Sequence, residues 1–212
     1  MADEQTIKRY QEGAEAFIQA YRGAIVSHQQ ALILHHFKPK GLTLDVGCAS
    51  GRDLSWLLAQ GFRAEGLDAV PAFVNACRRL LPKVKIHQDQ LPELRGLLDT
   101  GSRDTHEGRF DNLLVSAVLM HLPRPELPLA LTQLKRLLRV GGRALISVRR
   151  ARSASSDEAS SREDGRLFTP LSAAELSSMA LEAGFELLYA DERAEDEQGK
   201  RWVTVVLARS EG

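Results

Sequence analysis

The chain has 212 residues, 43% of them hydrophobic, enough to bury a sizeable core. Its 28 basic residues are balanced by 28 acidic ones, so no global field draws it to nucleic acid or to an anionic membrane. No apolar run approaches the length of a membrane span. Met1, Ala2, Asp3 and Glu4 also put acids where a secretory signal carries basic and then apolar residues, so a cytoplasmic protein without a membrane partner is expected.

In chain order, residues 4 to 37 read as two helices forming an N-terminal cap, with Ile7, Tyr10, Ala14, Phe17, Ile18 and Tyr21 on one face, and Pro39 and Gly41 ending it. Strands and helices then alternate: strand 42 to 46, helix 51 to 60, strand 63 to 67, helix 71 to 81, strands 84 to 87 and 111 to 115, helix 125 to 139, strand 143 to 148. That alternation predicts an α/β protein, doubly wound, with a mostly parallel sheet and helices on both faces. A helix at 171 to 183 is followed by strand runs at 185 to 190 and 201 to 208, too close for a helical crossover, so they should pair antiparallel. Ser172 and Glu175 form a capping box for that last helix.

Two stretches, 99 to 109 and 150 to 165, are polar and read as insertions. The second follows the fifth strand at the carboxyl edge of the sheet, and is expected to be mobile without ligand, either as a lid or as a solvated insertion. Cys48 and Cys77 have no metal-ligand spacing and read as free thiols. His28, His35 and His36 lie near one face of the cap without further ligands, so solvated or capping histidines are expected and no metal site.

The most informative stretch runs Leu44, Asp45, Val46, Gly47, Cys48, Ala49, Ser50, Gly51, with Gly66, Leu67 and Asp68 after the next helix. A strand that enters small residues, then a helix, then a second strand ending in a carboxylate is how an α/β sheet makes room for a nucleotide-like ligand. Small residues let backbone approach the ligand, the helix start near Gly51 supplies unpaired N–H groups, and Asp68 is placed to accept from both ribose hydroxyls. A dinucleotide fingerprint starting at Gly47 needs glycine at 49 and 52, where Ala49 and Arg52 stand. Asp45 repels a phosphate and suits a cationic group, for which an amine is the natural partner.

The run Asp45, Val46, Gly47, Cys48, Ala49, Ser50, Gly51 with Asp68 downstream resembles motifs I and II of class I S-adenosylmethionine-dependent methyltransferases, and the continuation through Arg52 and Asp53 resembles their small bacterial members acting on small molecules. Ala49 departs from the glycine usual there. The resemblance covers roughly residues 42 to 209. It implies a seven-stranded sheet of order 3-2-1-4-5-7-6 with strand 7 antiparallel, and one methyltransferase domain over 1–212. Within that domain, 1–40 is the helical cap, 41–148 the cofactor-binding core, 149–168 a flexible loop and 169–212 a helix with a β-hairpin. It implies S-adenosyl-L-methionine as cofactor, held by Asp45, Gly47, Cys48, Ala49, Gly51, Arg52, Asp68 and its neighbour Ala69, Asp89 and its neighbour Gln90, and Ser116. In this scheme Asp89 accepts the adenine amino group, with helix capping as its alternative role. Ser116 offers its carbonyl to the ligand amine, and Arg52 pairs with the ligand carboxylate or lies exposed.

Methyl transfer asks a protein to align the acceptor, exclude water and remove a proton. His121, on the loop after the fourth strand, is the candidate base, with a structural role as its alternative; Tyr21, on the cap, is the second catalytic candidate. Phe168 lines the acceptor pocket or staples the following helix. The acceptor is expected to be a small molecule: there is no basic stripe with interleaved aromatics, and Ser116, Ala117, Val118 and Leu119 stand where base-modifying enzymes carry an Asn-Pro-Pro-Tyr type signature. Two other classes stay open, an NAD(P)-dependent oxidoreductase and a non-catalytic cofactor-binding scaffold.

Overall fold

A computed structural model of the chain describes residues 3–23, 26–99, 105–149, 160–193 and 201–210. The N-terminal segment forms three helices rather than two: α1 (Glu4–Glu12), α2 (Ala14–Arg22) and α3 (Ser27–His36). Gly13, a poor helix former, closes α1 and starts α2, and Gly23 closes α2. Asp3 caps α1 by accepting from the Thr6 amide at 2.8 Å.

The alternation read from the sequence then follows, with ends shifted by a few residues. It comprises β1 (Leu42–Val46), α4 (Arg52–Ala59), β2 (Arg63–Asp68), α5 (Pro71–Leu80), β3 (Ile86–Gln88), α6 (Arg95–Leu98), β4 (Phe110–Ser116), α7 (Leu127–Leu137) and β5 (Leu138–Arg149). Two features escaped the periodicity. The four-residue α6 is too short to show a helical period. β5 begins five residues earlier than expected, because it passes through Gly141 and Gly142 with a register shift against β4 between Phe110 and Asn112.

Part of the stretch expected to be a flexible loop is a hairpin, β6 (Ser161–Glu163) and β7 (Arg166–Phe168). Asp164 and Gly165 turn it with φ of 49° and 92°, a two-residue turn in which both residues are left-handed. The rest of that loop, 150–159, lies outside the described residues, as does 100–104 of the earlier insertion. α8 (Ala173–Glu182), β8 (Phe185–Arg193) and β9 (Trp202–Arg209) complete the chain.

The large sheet has the order β3-β2-β1-β4-β5-β9-β8, with β9 antiparallel to both neighbours. This is the expected topology, the hairpin strands β6 and β7 forming a separate small sheet. Successive side chains on each strand face opposite layers, so the central strands are apolar on both sides. Leu113, Val115 and Ile146 face Leu131 and Leu134 of α7 and Leu176 of α8. Their neighbours Leu114 and Leu145 face Leu32 and Ile33 of α3 and Leu57 of α4. Leu54, Val74 and Cys77 extend that second layer against Ile86.

Local polar contacts fix where the elements begin. In the α8 capping box, Ser172 Oγ accepts from the Glu175 amide at 3.2 Å and Glu175 Oε2 accepts from the Ser172 amide at 2.9 Å. Ser172→Ala leaves a helix-end N–H without its acceptor, and should lower stability by about 1 kcal/mol. Urea denaturation should show this as a lower midpoint at unchanged slope.

Candidate active site

The carboxyl ends of β1 to β5 converge on one edge, and the connection leaving β1 is held there by backbone geometry. Gly47 has φ +76°, and a Cβ on it would lie 2.3 Å from Val118 Cγ2. The amides of Gly47 and Cys48 both donate to the Leu67 carbonyl, at 2.7 and 3.0 Å, which folds the loop over the end of β2. Gly51, at φ +89°, is the N-cap of α4. Ala49 is also left-handed, with φ +44°, so the alanine carries the strain a glycine would avoid. Cys48 and Cys77 are free, as expected, and both are buried.

Asp68 ends β2 and ties this loop down. Its Oδ2 accepts from the Ala49 amide at 2.8 Å and its Oδ1 from the Val70 amide at 2.9 Å, with the Ala69 amide also directed at it. Burial pushes its carboxyl up to about 6, against the opposing pull of these amides. Asp45, on β1, is 1% exposed, and its Oδ2 has no hydrogen-bond partner among the described residues. Burial and the charge of Asp53 hold its carboxyl well above the usual range. Arg52 points its guanidinium at Asp53, from Nε at 2.9 Å and Nη2 at 2.7 Å, leaving Nη1 with the Tyr21 carbonyl at 3.5 Å.

The other predicted residues lie along the same edge. Asp89 accepts from the Gln90 amide at 2.8 Å and the Leu97 amide at 3.1 Å, so it braces α6, close to the capping alternative. Ser116 Oγ donates to Gln29 Oε1 at 2.8 Å, and Ser147 Oγ reaches the same oxygen at 3.3 Å. Gln29 is 8% exposed and its Nε2 is unpartnered among the described residues, a buried donor at the strand ends. The sequence reading missed it; the available signal was a glutamine at the i position of the buried i, i+3, i+4 face that includes Leu32 and Ile33.

His121 joins three segments. Its Nδ1 lies 2.6 Å from the Leu167 carbonyl, which can only accept, so Nδ1 carries the proton and Nε2 accepts from the Tyr10 hydroxyl at 2.9 Å. Burial lowers its pKa to about 4, so the ring is neutral at pH 7 with both nitrogens engaged. Arg166 Nη1 donates to the Tyr10 oxygen at 3.1 Å, and its guanidinium sits 5.0 Å from the Phe17 ring and 5.4 Å from Phe168. Tyr21 stacks on Phe17 at 5.9 Å and abuts Tyr10; burial raises its pKa, so its hydroxyl remains a donor. Phe168 packs on His121 at 4.9 Å, and Arg149 lies 4.2 Å above it. His28, His35 and His36 stand apart: His28 lies 2.9 Å from Asp191, and none of the three joins a three-ligand cluster among the described residues.

The model of the methyltransferase-domain family matches residues 18–190. The chain belongs to this family. It is a class I S-adenosylmethionine-dependent methyltransferase, with S-adenosyl-L-methionine as cofactor. No curated protein matches it. Among solved structures it is similar to the Burkholderia thailandensis 1,6-didemethyltoxoflavin-N1-methyltransferase with bound 1,6-didemethyltoxoflavin and S-adenosylhomocysteine. The TM-score is 0.74 at 22% identity, over 97% of this chain and 88% of that one. It is also similar to a TehB-like methyltransferase from Corynebacterium glutamicum, with TM-score 0.68 at 20% identity, over 94% and 99% of the two chains. A methyltransferase in complex with the Haloferax volcanii Trm112 activator matches with TM-score 0.73 at 15% identity, over 98% of both. At these identities the likeness establishes the methyltransferase fold. No helix among the described residues is long and apolar enough to cross a membrane.

The raised pKa of Asp68 has a sign that can be checked. A carboxyl whose folded pKa of about 6 exceeds the ordinary aspartate value of 3.8 favours folding below the lower value, and that contribution is lost as pH rises through the higher one. The unliganded methyltransferase should therefore lose on the order of 3 kcal/mol between pH 4 and 7 at this group. Asp68→Asn should flatten that slope in chemical denaturation followed across the same pH range.

Proposed function

We propose that the chain transfers the methyl group of S-adenosyl-L-methionine to a small-molecule acceptor. The observation that carries this reading is the Oδ2 atom of Asp45, a buried carboxyl oxygen with no hydrogen-bond partner among the described residues, beside a left-handed loop. An unpaired buried acceptor next to close backbone is what a cationic amino acid attached to a nucleoside requires, and what a pyrophosphate does not.

In this reading Asp45 and the Ser116 carbonyl bind the amine, and Arg52, through its Nη1, binds the carboxylate. Asp68 binds the ribose hydroxyls. Asp89, with Gln90 and Ala69, borders the adenine, while Gly47, Cys48, Ala49 and Gly51 supply the close backbone wall. Gln29 adds a buried N–H donor at the same edge. When bound, the cofactor supplies an electrophilic sulfonium methyl, taken by in-line displacement with S-adenosylhomocysteine released.

The acceptor wall consists of Tyr10, Phe17, Tyr21, Phe168, Arg149 and Arg166. Its aromatic faces and guanidinium groups suit a small planar acceptor. His121 holds β7 and Tyr10 in place, as a positioning residue, because both its nitrogens are occupied and its ring stays neutral. Tyr21 orients the acceptor through its hydroxyl and helps exclude water.

Calorimetry with S-adenosylhomocysteine tests the cofactor assignment. Asp45→Asn should weaken binding by roughly 10- to 100-fold, the value of one charge-assisted bond. Binding to the unaltered protein should strengthen as pH rises through about 6, because the ribose hydroxyls donate to the ionised form of Asp68. Equal affinity in Asp45→Asn, or binding of NAD in place of S-adenosylhomocysteine, would contradict the assignment.

For His121, kcat at saturating cofactor should show no break between pH 6 and 7 that disappears in His121→Gln, since its pKa is about 4. The variant should instead raise the acceptor KM as β7 loosens.

A further inference from the structure

A second polar cluster lies away from the active site, where β2 and β3 face the loop that leads into β4. Glu65 and Leu67 share one face of β2, and the parallel register pairs Leu67 with His87, which puts His87 on that face as well. Glu65 Oε2 and His87 Nε2 are 2.8 Å apart. His106 reaches the same place from the preceding loop, fixed by its amide to the Leu97 carbonyl at 2.9 Å and by its ring, stacked on Phe110 at 6.2 Å.

His106 is 8% exposed, and neither of its ring nitrogens has a hydrogen-bond partner among the described residues. A buried imidazole contains one donor and one acceptor, and leaving both unmet is costly enough to need a reason. The reason is beside it: one ligand atom from each of Glu65, His87 and His106 lies within 4.8 Å of the others.

We propose that Glu65, His87 and His106 form a structural site for a divalent transition-metal ion of the zinc class, which fastens the loop ahead of β4 to the β2 and β3 edge. Two imidazole nitrogens and one carboxylate oxygen are a borderline donor set, which selects zinc-like ions over magnesium or calcium. Bound to such an ion at about 2.1 Å in tetrahedral directions, the three atoms would sit about 3.4 Å apart. Glu65 and His87 already approach that spacing from two paired strands, and His106, on a loop, makes the remaining adjustment.

Arg109 Nη2 hydrogen bonds Glu65 Oε1, leaving Oε2 turned toward the histidines, an outer-sphere contact that orients a carboxylate ligand. Arg109 and Lys85 also oppose a dication at this place, which sets the affinity below that of a thiolate structural site. The fourth position is left to water.

The test uses the full chain after chelator treatment. Titration with Zn2+ by calorimetry should show one equivalent bound and a raised melting temperature. Co2+ in its place should give visible absorption bands from nitrogen and oxygen ligation. His106→Ala and His87→Ala should each weaken uptake by about tenfold or more, while the double variant His35→Ala, His36→Ala leaves it unchanged. Should His106→Ala not fold by circular dichroism, His106→Phe removes the ligand while keeping a ring against Phe110. Failure of the folded protein to take up either metal, or uptake unchanged in both His87 and His106 variants, would overturn the proposal.

Discussion

The contact on which the site depends is the hydrogen bond from the Ala49 amide to the Asp68 carboxylate. It joins the loop after β1 to the end of β2, whose last carbonyls already receive the amides of Gly47 and Cys48. Without it, a loop with left-handed residues at 47, 49 and 51 would have little to hold its strained backbone. The same carboxylate is buried, and burial outweighs its amide partners in raising its pKa to about 6. One side chain therefore fixes the loop and, in the proposed reading, also serves the ribose. Asp45, one strand away, is buried as well, and its Oδ2 has no hydrogen-bond partner among the described residues.

The proposed acceptor side is built differently. There helix α1 and the β6–β7 hairpin meet across the sheet edge and hold each other. Thr6 Oγ1 accepts from the Leu167 amide at 2.8 Å, Asp3 pairs with Arg162 at 2.7 Å, and Arg9 donates to the Asp164 carbonyl at 3.0 Å. His121 and Tyr10 close the inner side of this clasp. The proposed cofactor half rests on parallel-sheet geometry, and the proposed acceptor half on contacts between segments some 160 positions apart in sequence, such as Thr6 and Leu167.

That difference explains what could be read from the chain beforehand. The alternation of strands and helices, the loop after β1 and the positions of Asp45 and Asp68 on their strands were legible because each follows from local pattern: apolar runs, small residues, an acid in a strand. The sheet order came instead from the resemblance to class I methyltransferases. Gln29 was not, since its amide matters only once α3 lies over Ser116 and Ser147. The hairpin at 161–168 was read as loop because its residues have little to bury, although Asp164-Gly165 is a hairpin-turn pair. Its order comes from α1, which local pattern does not show. His121 was read with its role open; the roles of its two nitrogens are set by Leu167 and Tyr10, 46 and 111 residues away. His87 and His106 gave no signal, being too far apart in sequence to form a ligand motif.

The clasp between α1 and the hairpin also has a thermodynamic meaning. Two of its contacts are solvent-exposed charge pairs, Asp3 with Arg162 and Arg9 with Asp164, and exposed pairs contribute little each. The sheet beneath is instead held by apolar layers on both faces. Added salt therefore screens only the exposed pairs of the clasp, and leaves the buried bond from the Leu167 amide to Thr6 Oγ1 in place.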